Sequence, residues 1–265
     1  MFEVVESGIT FYEDFFGHAF PFEKYDQVFV PEDNYGASQS VGCLTNGTIE
    51  GNESEYVHTN SPPTSPITFN EHFIFSKDTS SLAKKLRFYV STLHELCHVW
   101  FGNLITIKWW CDIGLDEAFA TYMSFLVMSK SPKLARFHDS CWVTFLEYKF
   151  WGVSRDSLSQ TTHPVCCHVE DTCKAEALYD GIAYGKGPAF VKQLFFLMGY
   201  ERVRAGLRLY FKRYAWKNGS LEAFTNCMQE AYTEGRDKNL DSSCNYSGIN
   251  GILPEGFDMA QWCKD

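Results

Sequence analysis

The chain has 265 residues and carries 23 Lys and Arg against 33 Asp and Glu, a formal net charge of −10. This acidic balance, with a sequence pI near 5.3, excludes a nucleic-acid partner, because polyphosphate selects for clustered basic residues. No apolar run reaches the roughly 18 residues that a bilayer helix needs, so no transmembrane segment is read.

At this length a single core is near its upper practical size, and one large domain or two small ones both fit. With 23 Phe, 14 Tyr and 7 Trp, the core can be large and stiff. Phe2–Val5 and Asp26–Val30 have the β-branched and aromatic content of strands, the second closed by Pro31 and Gly36. Residues 46–66 turn to Gly, Ser, Thr, Asn and Pro without a period and read as an inserted solvent loop. A short strand over Ile67–Phe69 follows. From Ser80 or Ser81, Leu82, Leu86, Tyr89, Leu93, Leu96 and Trp100 recur at helical spacing, and Gly102-Asn103 is read as the stop. Further helices are expected over Leu115–Lys130, Lys133–Trp151, Gly187–Met198, Glu201–Tyr214 and Leu221–Tyr232, the last capped by Ser220. The fold class expected is α+β, mainly helical, with short N-terminal strands. Residues 1–233 form the expected domain, and 234–265 a polar tail with weak order before Phe257–Cys263.

The ten cysteines include no CxxC pair and favour a reducing, cytoplasmic compartment. Asn-x-Ser/Thr sequons at Asn46, Asn52, Asn218 and Asn245 point instead to an extracellular one. No signal peptide is read at Met1, and the compartment stays open.

The residues with chemical meaning lie in the strongest helix, at His94-Glu95-Leu96-Cys97-His98. Histidines four positions apart project from one helix face, so both imidazoles can grip one zinc ion. Glu95, beside the first, can take a proton from water attacking a carbonyl. The plainer alternative is two helix histidines with an ion-pairing glutamate. Against it stands Glu117, 19 positions after His98 at the start of the next helix, which completes a His2Glu set if the connection reverses tightly. Gly102 and Gly114 are read as permitting that reversal. One Zn2+ per chain is expected.

The run His94–Asn103, followed by Trp109-Trp110, Asp112 and Leu115-Asp116-Glu117-Ala118-Phe119, resembles the zinc signature of the aminopeptidase N family, a group with a thermolysin-like catalytic domain. The likeness extends to Phe11–Gly17, Tyr25–Glu32, Thr162–Pro164, Val169–Asp171 and Tyr179–Gly187. The resemblance implies a thermolysin-like zinc aminopeptidase domain, peptide substrates, and flanking domains of a longer chain. It implies that His94, His98 and Glu117 hold zinc, that Glu95 is the general base, and that Tyr184 stabilises the oxyanion. A phenol there would strengthen its hydrogen bond as charge develops, an effect of about 3 to 4 kcal/mol in comparable sites.

Three departures qualify that picture. The family's Gly-Ala-Met-Glu-Asn exopeptidase motif matches Gly36-Ala37-Ser38-Gln39-Ser40, so the substrate-binding candidates are Gly36, Ala37 and Gln39. Gln39 lacks the negative charge that would bind a free α-ammonium. The loss of a charge-assisted bond, about 1.5 to 3 kcal/mol, weakens N-terminal recognition by about one to two orders of magnitude. The stretch over 46–66 stands where the family runs straight into its next strand. Asp116 and Gly114 replace the family's usual Asn and Trp beside Glu117. The uncharged Gln39, together with the family's flanking domains being missing from this segment, supports a second reading, a catalytically impaired relative acting as a zinc-containing structural or peptide-binding module.

Overall fold

The computed structural model describes residues 2–30, 37–39, 64–70, 81–237 and 257–262. Over these the chain is mainly helical, with two small sheets. Helix α1 (Phe2–Phe16) opens the chain and leads into β1 (Lys24–Val30). The strand expected over Phe2–Val5 is therefore corrected to helix. Val4, Val5, Gly8, Tyr12, Phe15 and Phe16 are all buried, a spacing of three and four residues that a four-residue window of β-branched side chains does not reveal.

Strands β2 (Ala37–Gln39) and β3 (Thr64–Asn70) complete the first sheet, in the order β1-β3-β2. β3 runs parallel to β1, with Gln27 opposite Ile67, and antiparallel to β2. β3 begins at Thr64, inside the stretch expected to be loop; Asn46 to Pro63 lie outside the described residues. Pro66, which has no N–H to give, pairs among the described residues with β1 alone. The sheet meets the helices through aromatic rings: Phe69 stacks on Phe29 within the sheet at 5.6 Å and meets Phe88 in a tilted contact at 5.5 Å.

Helix α2 (Leu82–Cys97) starts at Ser81, whose Oγ accepts the Lys84 N–H at 3.3 Å. It stops at Cys97 rather than Gly102, and the next residues turn tightly, with Asn103 N–H donating to the His98 carbonyl at 3.0 Å. A short strand β4 (Ile105–Ile107) and a 3-10 turn over Trp110–Asp112 lead to α3 (Ile113–Lys130). Almost every α3 residue from Ile113 to Met128 is buried, so this helix lies at the centre, apolar on all sides. Helix α1 lies across α2. The Tyr12 hydroxyl donates to the Leu93 carbonyl at 2.9 Å, and a Cβ on Gly8 would stand 2.6 Å from a Leu96 methyl.

The helix expected from Lys133 divides into a 3-10 segment, Pro132–Phe137, and α4 (His138–Asp156). Then come α5 (Thr172–Glu176), a π-turn over Ile182–Lys186, α6 (Gly187–Met198) and α7 (Tyr200–Tyr214). Strand β5 (Lys217–Gly219) pairs in parallel with β4 and precedes α8 (Leu221–Asp237). As expected, Ser220 caps α8, accepting the Ala223 N–H at 3.2 Å. The tail over 238–256 lies outside the described residues, and α9 (Met259–Trp262) follows it.

Candidate metal centre

Two buried helices set the geometry. His94 stands in the last turn of α2 and His98 caps its end, one turn on and on the same face. Glu117 reaches them from the first turns of α3. The connection closes because Gly102 adopts φ +116°, where a side chain would be strained. Gly114 plays a different part from the one expected. It lies inside α3, and a Cβ there would sit 2.2 Å from the Val165 carbonyl oxygen, so it serves a close approach rather than a turn.

His94 Nε2, His98 Nε2 and Glu117 Oε2 form a triangle with edges of 3.0, 3.1 and 3.3 Å. A tetrahedral zinc with ligands about 2.0 to 2.1 Å away separates them by about 3.3 Å. The outer nitrogens are already committed. His98 Nδ1 donates to the Phe101 carbonyl at 2.9 Å and lies 3.3 Å from Asp116 Oδ1; His94 Nδ1 meets Thr121 Oγ1 at 3.2 Å. With hydrogens on both Nδ1 atoms, both Nε2 lone pairs face the centre of the triangle. Glu117 Oε2 is buried and, among the described residues, has no hydrogen-bond partner. Two aligned lone pairs and an orphaned carboxylate oxygen fit a divalent cation with nitrogen and oxygen preference.

The close approach also couples the charges of the three groups. Burial lowers the affinity of His98 for a proton, but the charges of Glu117 and Asp116 outweigh it, so its pKa stands well above the ordinary imidazole value. Burial would raise Glu117, yet His98 and His94 together hold it below the usual carboxylate range. Glu95, 7% exposed, is displaced in the opposite direction. Burial raises its pKa, the two histidines pull against this, and Glu117 and Asp116 add to it. Cys97, fully buried beside His98, has its thiol pushed up mainly by burial and stays protonated.

Tyr184 stands on the π-turn with its ring 5.9 Å from that of His94. Burial raises its phenol pKa, with the Glu117 and Glu95 charges adding to the rise, so it remains a donor. His94, Glu95, His98, Glu117, Tyr184 and Ala37 line one cavity of about 940 Å3, walled further by Trp109, Trp110 and Tyr179. Gln39 lies in β2 opposite Ile67. Gly36 lies outside the described residues.

Sequence reasoning passed over Thr121 and the Phe101 carbonyl. Thr121 follows Glu117 by four residues on α3 and so shares its face, a spacing that was available as a signal. A backbone carbonyl leaves no trace in side-chain identity.

Residues 63–245, more than half the chain, match the Peptidase family M1 domain. The chain belongs to peptidase family M1, the aminopeptidase N family. It is 33% identical to Aminopeptidase N of Streptomyces lividans over 258 residues, 96% of this chain and 27% of that protein. It is 32% identical to Leucyl aminopeptidase of Saccharolobus solfataricus over 230 residues, 87% of this chain and 26% of that protein. With Aminopeptidase M1-D of Oryza sativa it shares 28% identity over 260 residues, covering 97% and 27%. This M1 chain thus spans about a quarter of the length of the curated relatives it matches.

Proposed function

We propose that the chain is the catalytic segment of a zinc metallopeptidase that removes N-terminal residues from peptides. On this reading residues 1–233 form a thermolysin-like unit, His94, His98 and Glu117 hold the ion, and flanking domains of a longer chain complete the substrate cavity. The observation that carries the proposal is the triangle of converging ligand atoms with Glu95 buried beside it. Membership of an aminopeptidase family supports it.

Zinc bound there would polarise the scissile carbonyl and lower the pKa of its water to about 7. Glu95 accepts the proton of the attacking water and returns it to the departing amine. Burial raises its pKa, the direction that favours a group which must both take and give a proton. Tyr184, kept protonated by burial, donates to the oxygen that gains charge as the carbonyl carbon becomes tetrahedral. The cavity of about 940 Å3, with aromatic walls and few fixed charges outside the centre, suits a short peptide. Ala37, on the edge strand β2, lines it, and Gln39, where the family carries a carboxylate, would bind the peptide amine more weakly than a carboxylate would.

The test compares leucine and alanine 7-amido-4-methylcoumarins with their N-acetylated forms. The free-amine substrates should be hydrolysed, and Glu95→Gln should reduce kcat by about 10^2 to 10^4 while zinc content is kept. Hydrolysis of the acetylated forms alone would replace the exopeptidase reading with an internal or blocked-peptide hydrolase. Zinc binding without turnover of either would favour the peptide-binding module, to which the uncharged Gln39 points.

A further inference from the structure

Tyr184 is carried by an unusual element. The π-turn Ile182–Lys186 is a rare winding, found mostly at functional sites, and it packs against α4 with backbone touching backbone. A Cβ on Gly185 would lie 2.3 Å from the Tyr148 carbonyl oxygen, and one on Gly152 would lie 2.5 Å from the Lys186 nitrogen. The Trp151 ring, also from α4, is nearly parallel to that of Tyr184, with centroids 6.1 Å apart.

Polar contacts tie both ends of the turn to the last residues of α4. At the leading end the Asp180 carboxylate accepts the Ile182 N–H at 2.8 Å, while the Asp180 carbonyl accepts the Tyr184 N–H at 3.0 Å. Arg155 Nε lies 3.7 Å from that carboxylate and His163 Nε2 lies 3.4 Å from it. At the trailing end Lys186 Nζ donates to Asp156 at 3.1 Å, and Thr162 donates to the same oxygen at 2.8 Å. Capping one N–H requires only a neutral side chain. A carboxylate buried to 7% exposure, with the Arg155 guanidinium and the His163 ring beside it, is more than a cap, since burying that charge is costly unless its partners hold it in place.

We propose that Asp180, flanked by Arg155 and His163, is a positioning residue that fixes the π-turn and so aims the Tyr184 phenol at the reacting carbonyl oxygen. This rests on the role of Tyr184 proposed above. Asp180 touches no substrate and acts through the turn. Its removal should therefore cost catalysis only while the phenol is there to be aimed.

A double-mutant cycle on the zinc-loaded chain tests this, with Asp180→Asn, Tyr184→Phe and both together, zinc content being measured for each. Tyr184→Phe should lower kcat by about 10^2 to 10^3. Asp180→Asn should lower it by about 10 to 10^2, with KM within about threefold, as expected of a misplaced group. Added to Tyr184→Phe, it should cost less than about twofold. Amide hydrogen exchange on the metal-free chain reads the hold without activity: Asp180→Asn should speed exchange across Ile182–Lys186 by about tenfold or more and leave α2 unchanged. His163→Gln, which removes one partner only, serves if Asp180→Asn does not fold. Losses that multiply across the cycle, or unchanged exchange in the turn, overturn the proposal. Full activity in Tyr184→Phe overturns the role of Tyr184 instead, and the exchange result then decides alone whether Asp180 holds the turn.

Discussion

The two sides of the centre are built on different physics. On the α2–α3 side the proposed ligands His94, His98 and Glu117 stand on helices whose neighbours are fully buried apolar residues: Leu93, Leu96, Val99, Phe119 and Ala120 are all at or near 0% exposure. On the π-turn side Tyr184 is held by ion pairs, by glycine contacts and by one stacked tryptophan. The first kind of support is cooperative and tolerant, because hydrophobic burial is non-directional. The second is directional, and a small change moves the group it carries. Metal grip and oxyanion aim should accordingly separate under mutation.

The largest effect should come from breaking the apolar side. Phe119 stacks on Phe101 at 5.0 Å, and Phe119→Ala should cost about 3 to 5 kcal/mol in denaturant unfolding, with metal affinity falling alongside stability. Retention of both would show that the seam is not what holds the ligands. Next is Gly185→Ala, whose methyl meets backbone at 2.3 Å and must push the turn aside. About 10^2-fold loss of kcat with zinc retained is expected, and equal loss of zinc would erase the distinction between the two sides. Smallest is Thr121→Val, which removes the partner of His94 Nδ1 and should weaken zinc binding by about 10- to 100-fold in a chelator competition while leaving unfolding nearly unchanged.

The same division governs what could be read from sequence. Period and composition reach the helix seam: the α6 limits and the pairing of His94 with His98 follow from three- and four-residue spacing, the α8 cap from the hydroxyl of Ser220, and the approach of Glu117, 19 positions on, from a tight reversal between the helices. The start of helix α1 reads as a strand because Val4 and Val5 satisfy one locally, whereas their partners Tyr12, Phe15 and Phe16 declare the helix only over two further turns. Gly114 reads as a turn residue because sequence does not distinguish a glycine needed for its φ from one needed for lack of a Cβ. The π-turn has no compositional signature, since its identity lies in which carbonyl each N–H selects. The clamp around Asp180 joins residues from three separated segments, and Arg155, His163 and Asp180 are each unremarkable alone.

The central claim is that one divalent ion is shared by His94, His98 and Glu117. The most direct measurement is zinc content of the purified chain by mass spectrometry of the metal, beside that of Glu117→Ala under the same dialysis. Close to one zinc per chain, and a strong drop in the variant, is the predicted result. A native chain that emerges metal-free after incubation with zinc, or a variant that keeps a full complement, would contradict it.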